Sequence, residues 1–128
     1  MSVSFVRLGS PRNPHEGVRI GTVRFPPRGV SKAARASENW FDVWFPNLAP
    51  QPATLKLSRA HDDPRAWARF ARLYRREMGI PENQRTLDLF ATLSHHTNFS
   101  VGCYCADESR CHRSILRDLL LAHGAQLG

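Results

Sequence analysis

The chain has 128 residues, an apolar fraction of 41% and a formal net charge of +7. This length and composition predict one packed globular domain spanning residues 1–128 and argue against disorder. No apolar run approaches the roughly 20 residues that span a bilayer, and the N-terminus lacks the apolar stretch of a signal peptide. These features exclude membrane and secreted classes, and we expect a cytoplasmic protein.

The charge comes almost entirely from arginine. Of the 18 basic residues, only Lys32 and Lys56 are lysines, and 11 acidic residues oppose them. An arginine-rich basic protein attracts polyanions, because its cations displace counterions from phosphate groups. Anionic partners are therefore one expectation from composition, and a solvated basic surface without a partner is the other.

The first half of the chain predicts strands and turns. Strands are expected over residues 3–8 and 18–25, a short helix over 31–39, and irregular structure over 46–52. The first strand alternates apolar and polar residues, and the second is rich in β-branched residues and ends at two prolines. We expect the aromatic patch from Trp40 to Trp44 to pack over the end of the sheet.

The second half predicts helices around one more strand. A helix is expected from Pro64 to Met78, with Asp63 as N-cap, one apolar stripe, and Gly79 as a closing C′ glycine. Further helices are expected over 81–95 and 110–123, with a strand over 99–105 between them. This alternation indicates an α/β fold with a small, largely parallel sheet and flanking helices.

Three segments resemble a bacterial family of domains of unknown function, in its YeaO-like branch. They are Val6 to Lys32 with its Arg-Phe-Pro-Pro-Arg-Gly run, His61 to Arg75, and Cys105 to Ser114 with its Cys-Ala…Cys-His-Arg pattern. The likeness covers nearly the whole chain and implies a bacterial α/β domain without an established activity. Relatives carry an aspartate near the end of the second strand, where this chain has Thr22-Val23-Arg24.

Two segments follow strand ends and are candidates for a ligand site, since ligands of open α/β sheets bind beyond the carboxyl ends of strands. If the two strands are neighbours, Arg24–Lys32 and Cys105–Arg113 face each other across one cleft, and we predict a small anionic ligand there. A helix start lowers a nearby thiol pKa and attracts anions. The candidate catalytic residues are Cys105, Cys111 and His112, and the candidate anion-binding residues are Arg24, Arg28, Lys32, Arg110 and Arg113.

The three cysteines, Cys103, Cys105 and Cys111, lie within nine residues and form a poor disulfide framework. Reactive thiols, zinc ligands and buried structural thiols all remain open. Structural zinc sites usually pair cysteines two to four residues apart, and adjacent helical residues such as Cys111 and His112 point about 100° apart. We therefore predict no metal. Glycine-rich nucleotide motifs are also absent, so no cofactor is predicted.

A second candidate surface lies on the predicted central helix. Arg65, Arg69, Arg72 and Arg76 recur at spacings of four, three and four residues and share one helical face. Such a face suits the phosphate backbone of a nucleic acid, or salt bridges to acidic groups elsewhere in the fold. A nucleic-acid-binding module is thus the alternative to an enzyme, and a structural or partner-binding protein without an active site is the third hypothesis.

Overall fold

The computed structural model describes residues 1–60 and 62–128, and it confirms the α/β class. His61, part of the resemblance, lies outside the described residues. Four strands are present in the described chain: β1 (Val3–Arg7), β2 (Val18–Gly21), β3 (Val43–Trp44) and β4 (Phe99–Cys103). The same part of the chain has four α-helices: α1 (Pro52–Leu57), α2 (Pro64–Met78), α3 (Pro81–Leu93) and α4 (His112–Ala122).

The four strands form one sheet in the order β1-β4-β2-β3, and all pairs are parallel, as predicted. All five residues of the central strand β4 are buried, which suits a strand covered on both faces. Since every strand runs the same way, their carboxyl ends meet at one edge of the sheet. The residues that follow β1, β2 and β4 are therefore neighbours in space.

The strand register gives the sheet two different faces. Phe5, Val101 and Ile20 are aligned across three strands, and they contact the main apolar core. That core is completed by buried side chains of α2, α3 and α4, including Phe70, Tyr74, Met78, Leu87, Phe90, Ile115, Leu116 and Leu120. The helices thus supply the apolar layer over this face, and its burial is the main stabilising contribution to the fold.

The opposite face carries a buried ion pair. Arg19 and Ser100 are aligned on it, and Arg19 is 0% exposed. The Arg19 Nε donates to Glu16 Oε2 over 2.6 Å, and the Ser100 hydroxyl donates to the same oxygen over 2.6 Å. Arg19 also donates to the carbonyls of Ser10 and Asn39, so one guanidinium holds two covering loops onto the sheet.

Several predicted boundaries are wrong. The strands over 3–8, 18–25 and 99–105 end earlier, at Arg7, Gly21 and Cys103, and the helix over 81–95 ends at Leu93. The helix expected over 31–39 is only a 3-10 turn at Lys32–Ala34, which Ser31 caps. The irregular stretch contains a 3-10 turn at Pro46–Leu48, and α1 starts at its end.

The central helix α2 has the predicted bounds. The Asp63 side chain accepts a hydrogen bond from Arg65 N over 2.9 Å, as an N-cap does. Gly79 ends the helix but has a φ of −78°, so the expected left-handed C′ glycine is wrong and no glycine is required there by backbone conformation. No helix in the described part of the chain is both long and apolar enough to cross a membrane.

Candidate active site

A cluster of sulfur and imidazole groups lies at the carboxyl edge of the sheet. Cys103 is the last residue of β4, Cys105 follows two residues later, and Cys111 and His112 stand at the start of α4. Since β2 and β4 are neighbours, the stretches that follow them meet, and the Tyr104 hydroxyl donates to the carbonyl oxygen of Phe25 over 2.9 Å. Cys103, Cys111 and His112 are buried, whereas Cys105 is half-buried.

The side chains of the cluster approach one another closely. The sulfur atoms of Cys103 and Cys105 are 3.8 Å apart, and Cys111 Sγ lies 3.8 Å from His112 Nδ1. One sulfur each from Cys103 and Cys111 and one nitrogen of His112 all lie within 4.8 Å of one another. The cluster therefore brings three candidate ligands or reactive groups from two elements into one small volume.

The expectation that Cys111 and His112 diverge is wrong, because α4 starts at His112 and Cys111 lies outside it. Cys111 is the N-cap and has extended backbone angles, φ −125° and ψ 153°, so only His112 is helical. An extended residue followed by a helical one does not follow the helical rotation of about 100° per residue. This turn of the chain directs the sulfur and the imidazole to the same place.

The orientation of the His112 ring is fixed by the end of β2. His112 Nε2 lies 2.7 Å from the carbonyl oxygen of Thr22, and this oxygen can only accept, so Nε2 carries the hydrogen. In the neutral ring, Nδ1 is therefore the unprotonated nitrogen, and it faces Cys111. The ring is also held by Tyr74, with ring centroids 5.4 Å apart.

The thiol groups have different pKa values because they share hydrogen bonds. Hydrogen bonds from Cys103 and Cys105 to the Cys111 sulfur, together with His112, hold the Cys111 pKa far below its usual range. The hydrogen bond between Cys103 and Cys105 lowers the Cys103 pKa. Contact with Cys111 and burial have the opposite and larger effect, and together they raise the Cys103 pKa to about 12. Contacts with Cys103 and Cys111 raise the Cys105 pKa well above its ordinary value. Among the three thiols, Cys111 therefore has the lowest pKa.

A buried cation contacts the backbone of Cys105. Arg113 is 3% exposed, and one of its terminal nitrogens donates to the carbonyl oxygen of Cys105. Its Nε has no hydrogen-bond partner among the described residues. The hydrogen bonds of the described residues therefore satisfy this buried guanidinium only in part.

Two aromatic residues cover the cluster. The rings of Trp40 and Tyr104 meet edge to face with centroids 5.9 Å apart, and both pack against a small apolar core that includes Cys103 and Cys111. A cavity of about 380 Å³ lies on one side, beside Arg7, and one of about 360 Å³ lies on the other, beside Arg28. Trp40 and Tyr104 were not among the predicted site residues, and the aromatic patch was the signal that pointed to Trp40.

The predicted anion-binding residues do not form one site. Arg24 donates to the backbone carbonyls of Pro46, Ala49 and Pro50, so its guanidinium holds the chain after β3. Arg28 is exposed and lines the smaller cavity beside Tyr104, whereas Lys32 lines a separate cavity near Phe41. Arg110 lies over the Trp67 ring at 5.6 Å. Of the set, Arg113 contacts a residue of the cluster, Cys105, and Arg28 lines the cavity beside Trp40 and Tyr104.

The predicted arginine face on α2 is exposed. Arg65, Arg69, Arg72 and Arg76 are all on the surface, and none of them forms an ion pair within the described residues. Their neighbour Arg75 lies 3.7 Å from Asp118 of α4, a long contact between two exposed groups. The opposite side of α2 is the buried stripe of Phe70, Tyr74 and Met78. The positive charge of this face is therefore not neutralised by the fold.

Comparison with known proteins gives a family match. No curated protein and no solved structure is significantly similar to the chain. A family model described as the active DUF488-N3 subclade matches residues 3–124, which confirms the resemblance to a family of domains of unknown function. The YeaO-like branch stays a prediction. Because the match covers nearly the whole sequence, the chain belongs to the DUF488-N3a family.

Proposed function

We propose that the protein is a thiol-dependent enzyme that acts on a small anionic ligand at the carboxyl edge of its sheet. The observation that carries this proposal is the exposure within the cluster: Cys105 is half-buried, whereas Cys103 and Cys111 are buried. A ligand at the surface therefore meets the Cys105 sulfur first. The description of the matching subclade as active also favours an enzyme.

The proposed chemistry is nucleophilic and requires removal of the Cys105 proton, because contacts with Cys103 and Cys111 raise the pKa of that thiol. In the proposed step, Cys105 Sγ forms a bond to an electrophilic centre of the ligand while a leaving group departs. The proposed acceptor of the thiol proton is His112 Nδ1, which is unprotonated in the neutral ring and belongs to the same cluster. Cys111 also provides a second sulfur, which can form a bond to the group carried by Cys105 while the bond of that group to Cys105 Sγ breaks.

The charges near the cluster support an anionic ligand. Arg113 supplies a buried positive charge at the Cys105 carbonyl, and Arg28 places an exposed guanidinium in the cavity beside Tyr104. An anion in that cavity gains attraction from Arg28, and the net charge of +7 assists its approach. The ring of Trp40 lines the same cavity and offers a planar apolar wall.

Site-resolved alkylation tests this proposal and requires no substrate. We expect iodoacetamide to label Cys105 before Cys103 and Cys111, as read by mass spectrometry, and inorganic phosphate or sulfate to slow that labelling. Arg28→Gln should weaken the protection, whereas Arg85→Gln, an exposed arginine on α3, should not. Labelling of Cys105 no faster than Cys103, or labelling unaffected by either anion, contradicts the proposal.

The exposed arginine face favours nucleic-acid binding as a second candidate function. Four guanidinium groups on one side of α2 lack acidic partners among the described residues, so they are available to phosphates. Binding of single-stranded or duplex oligonucleotides should weaken as salt is raised. The double variant Arg69→Gln/Arg72→Gln should reduce the slope of log affinity against log salt concentration by the amount expected for about two phosphate contacts. The Arg85→Gln control should leave the slope unchanged. Salt-independent or absent binding contradicts this candidate.

A further inference from the structure

We infer that Cys103, Cys111 and His112 form a zinc-binding site in which the Cys105 sulfur is the fourth ligand. Two thiolates and one imidazole form a set of protein ligands that zinc uses in catalytic sites, with the fourth position open to another ligand. Here the three ligand atoms lie within 4.8 Å of one another and all three residues are buried. Cys105 reaches the same sulfur cluster from the surface side.

The distances fit tetrahedral coordination. Zinc–sulfur bonds of about 2.3 Å and zinc–nitrogen bonds of about 2.0–2.1 Å place neighbouring ligand atoms roughly 3.5–3.8 Å apart in a tetrahedron. The separation between Cys103 Sγ and Cys105 Sγ is 3.8 Å, and that between Cys111 Sγ and His112 Nδ1 is also 3.8 Å. Two edges of the cluster thus already have about the length that a zinc ion requires.

The support of His112 is that of a metal ligand. Metal-binding histidines usually donate their second ring hydrogen to a carbonyl or carboxylate, which fixes the tautomer and aims the free nitrogen at the ion. His112 does this through Nε2, at 2.7 Å from the Thr22 carbonyl oxygen. The free nitrogen, Nδ1, is the one that faces the sulfur of Cys111.

The local charge also fits. Zinc with three thiolates and a neutral imidazole carries a net charge of −1, and each thiol gives its proton to solvent as it binds. Arg113 is 3% exposed and places its guanidinium against the backbone of Cys105, where it donates a hydrogen bond to the carbonyl oxygen. The negative charge of the zinc complex therefore suits the neighbourhood of this buried cation.

A zinc ion also explains how Cys105 acts in the proposed enzyme. This part of the inference rests on the proposed function. A thiol that coordinates zinc is deprotonated outright. Zinc therefore holds Cys105 as a thiolate at neutral pH, while Cys103, Cys111 and His112 stay buried as permanent ligands. The half-exposed ligand is then the one that can leave the metal and attack a substrate.

Cobalt titration of the full, metal-free chain tests the site directly. We expect one Co²⁺ per chain, thiolate-to-cobalt charge-transfer absorption, the visible bands of tetrahedral cobalt, and displacement of cobalt by Zn²⁺. Zinc should also raise the thermal midpoint, because it binds the folded chain. Octahedral spectra, or the absence of stoichiometric binding, overturn the inference.

Variants separate the ligands from residues with only structural roles. Cys111→Ser should abolish the tetrahedral cobalt spectrum, and His112→Gln should weaken binding by at least about tenfold. Because both positions are buried, Cys105→Ser is the second test: it should keep cobalt bound but lower the charge-transfer intensity by about one-third, from three thiolates to two. An unchanged spectrum in Cys105→Ser overturns its place as the fourth ligand.

The two proposals fail in different ways. Metal binding is measured without any substrate, so absence of zinc leaves the alkylation test of Cys105 intact. Conversely, tight zinc binding by the wild-type chain, with Cys105 protected until a chelator is added and insensitive to anions, supports the zinc site and contradicts the proposed function. Rapid labelling of Cys105 with no metal bound supports the enzyme alone.

Discussion

At the scale of single residues, the structure has buried charge at two places: the Glu16–Arg19 ion pair and the Arg113 guanidinium. The Glu16–Arg19 pair lies on the face of the sheet away from the helices, and both side chains are almost fully buried. Every Glu16 partner that the structure shows is also buried or belongs to a covering loop. This pair is therefore structural, whereas the Arg113 guanidinium contacts the backbone of the cysteine segment.

Replacing one member of the pair should be strongly destabilising. Glu16→Gln leaves the Arg19 charge buried without its counter-ion, and we expect a loss of about 3–5 kcal/mol in the free energy of unfolding, measured by urea denaturation. Arg12→Gln is the matched control, since its ion pair with Asp42 is partly exposed and should contribute about 0–1 kcal/mol. Equal losses in the two variants would contradict the assignment.

The same pair predicts how stability depends on pH. Burial raises the Glu16 pKa, but hydrogen bonds from Arg19 and Ser100 outweigh it and lower the pKa from 4.5 to about 2. Because the folded pKa is lower than the unfolded one, the contribution is fully present above about pH 4.5 and is lost as the pH falls towards 2. Urea midpoints across that range should fall in the wild type, and Ser100→Ala should reduce the fall.

At the scale of elements, α2 and α4 show how helix starts are made. Asp63 caps α2 with its side chain, whereas Cys111 caps α4 with no side-chain hydrogen bond and turns its sulfur towards the cluster. A residue at an N-cap has extended backbone angles, and this allows it to point away from the helical rotation. The start of α4 therefore contributes the Cys111 sulfur to the cysteine–histidine cluster and no side-chain cap to the helix.

The α2 cap gives a test at this scale. Asp63→Ala removes the acceptor for Arg65 N and should lower the free energy of unfolding by about 1 kcal/mol, with Asp63→Asn close to wild type because its side-chain oxygen can still accept. Thermal or urea unfolding measures both variants. Equal losses in Asp63→Asn and Asp63→Ala would show that charge, and not capping, is the main contribution of this residue.

At the scale of the whole molecule, Tyr74 connects the helical layer to the carboxyl edge of the sheet. It is 0% exposed, its hydroxyl donates to the Leu48 carbonyl over 2.7 Å, and its ring packs against both Phe70 and His112. One side chain thus links α2, the segment before α1 and the start of α4. The position of the His112 imidazole depends on the packing of the main core.

A pair of tyrosine variants tests this connection. Tyr74→Phe leaves the buried Leu48 carbonyl without its donor, and we expect a loss of about 1–3 kcal/mol in the free energy of unfolding. Tyr104→Phe removes a hydroxyl that donates to Phe25 O at the surface, so its loss should stay within about 0.5 kcal/mol. Urea denaturation compares them, and similar losses would contradict the difference in burial.

The sequence alone determined the fold class, the parallel sheet and the bounds of α2, because apolar periodicity, a capping residue and a proline at the helix start are local signals. It also located the cysteine segment at a strand end. Those signals depend on residues that are close in the chain, so they do not predict contacts between distant residues.

Only the tertiary structure decided what that segment forms. The neighbouring positions of β2 and β4 bring the Thr22 carbonyl to His112, and the extended Cys111 directs its sulfur to the imidazole. Arg24 was predicted to bind an anion but holds backbone carbonyls instead. These outcomes depend on contacts between residues distant in the chain, and strand order and side-chain hydrogen bonds over such separations leave no local pattern in the sequence.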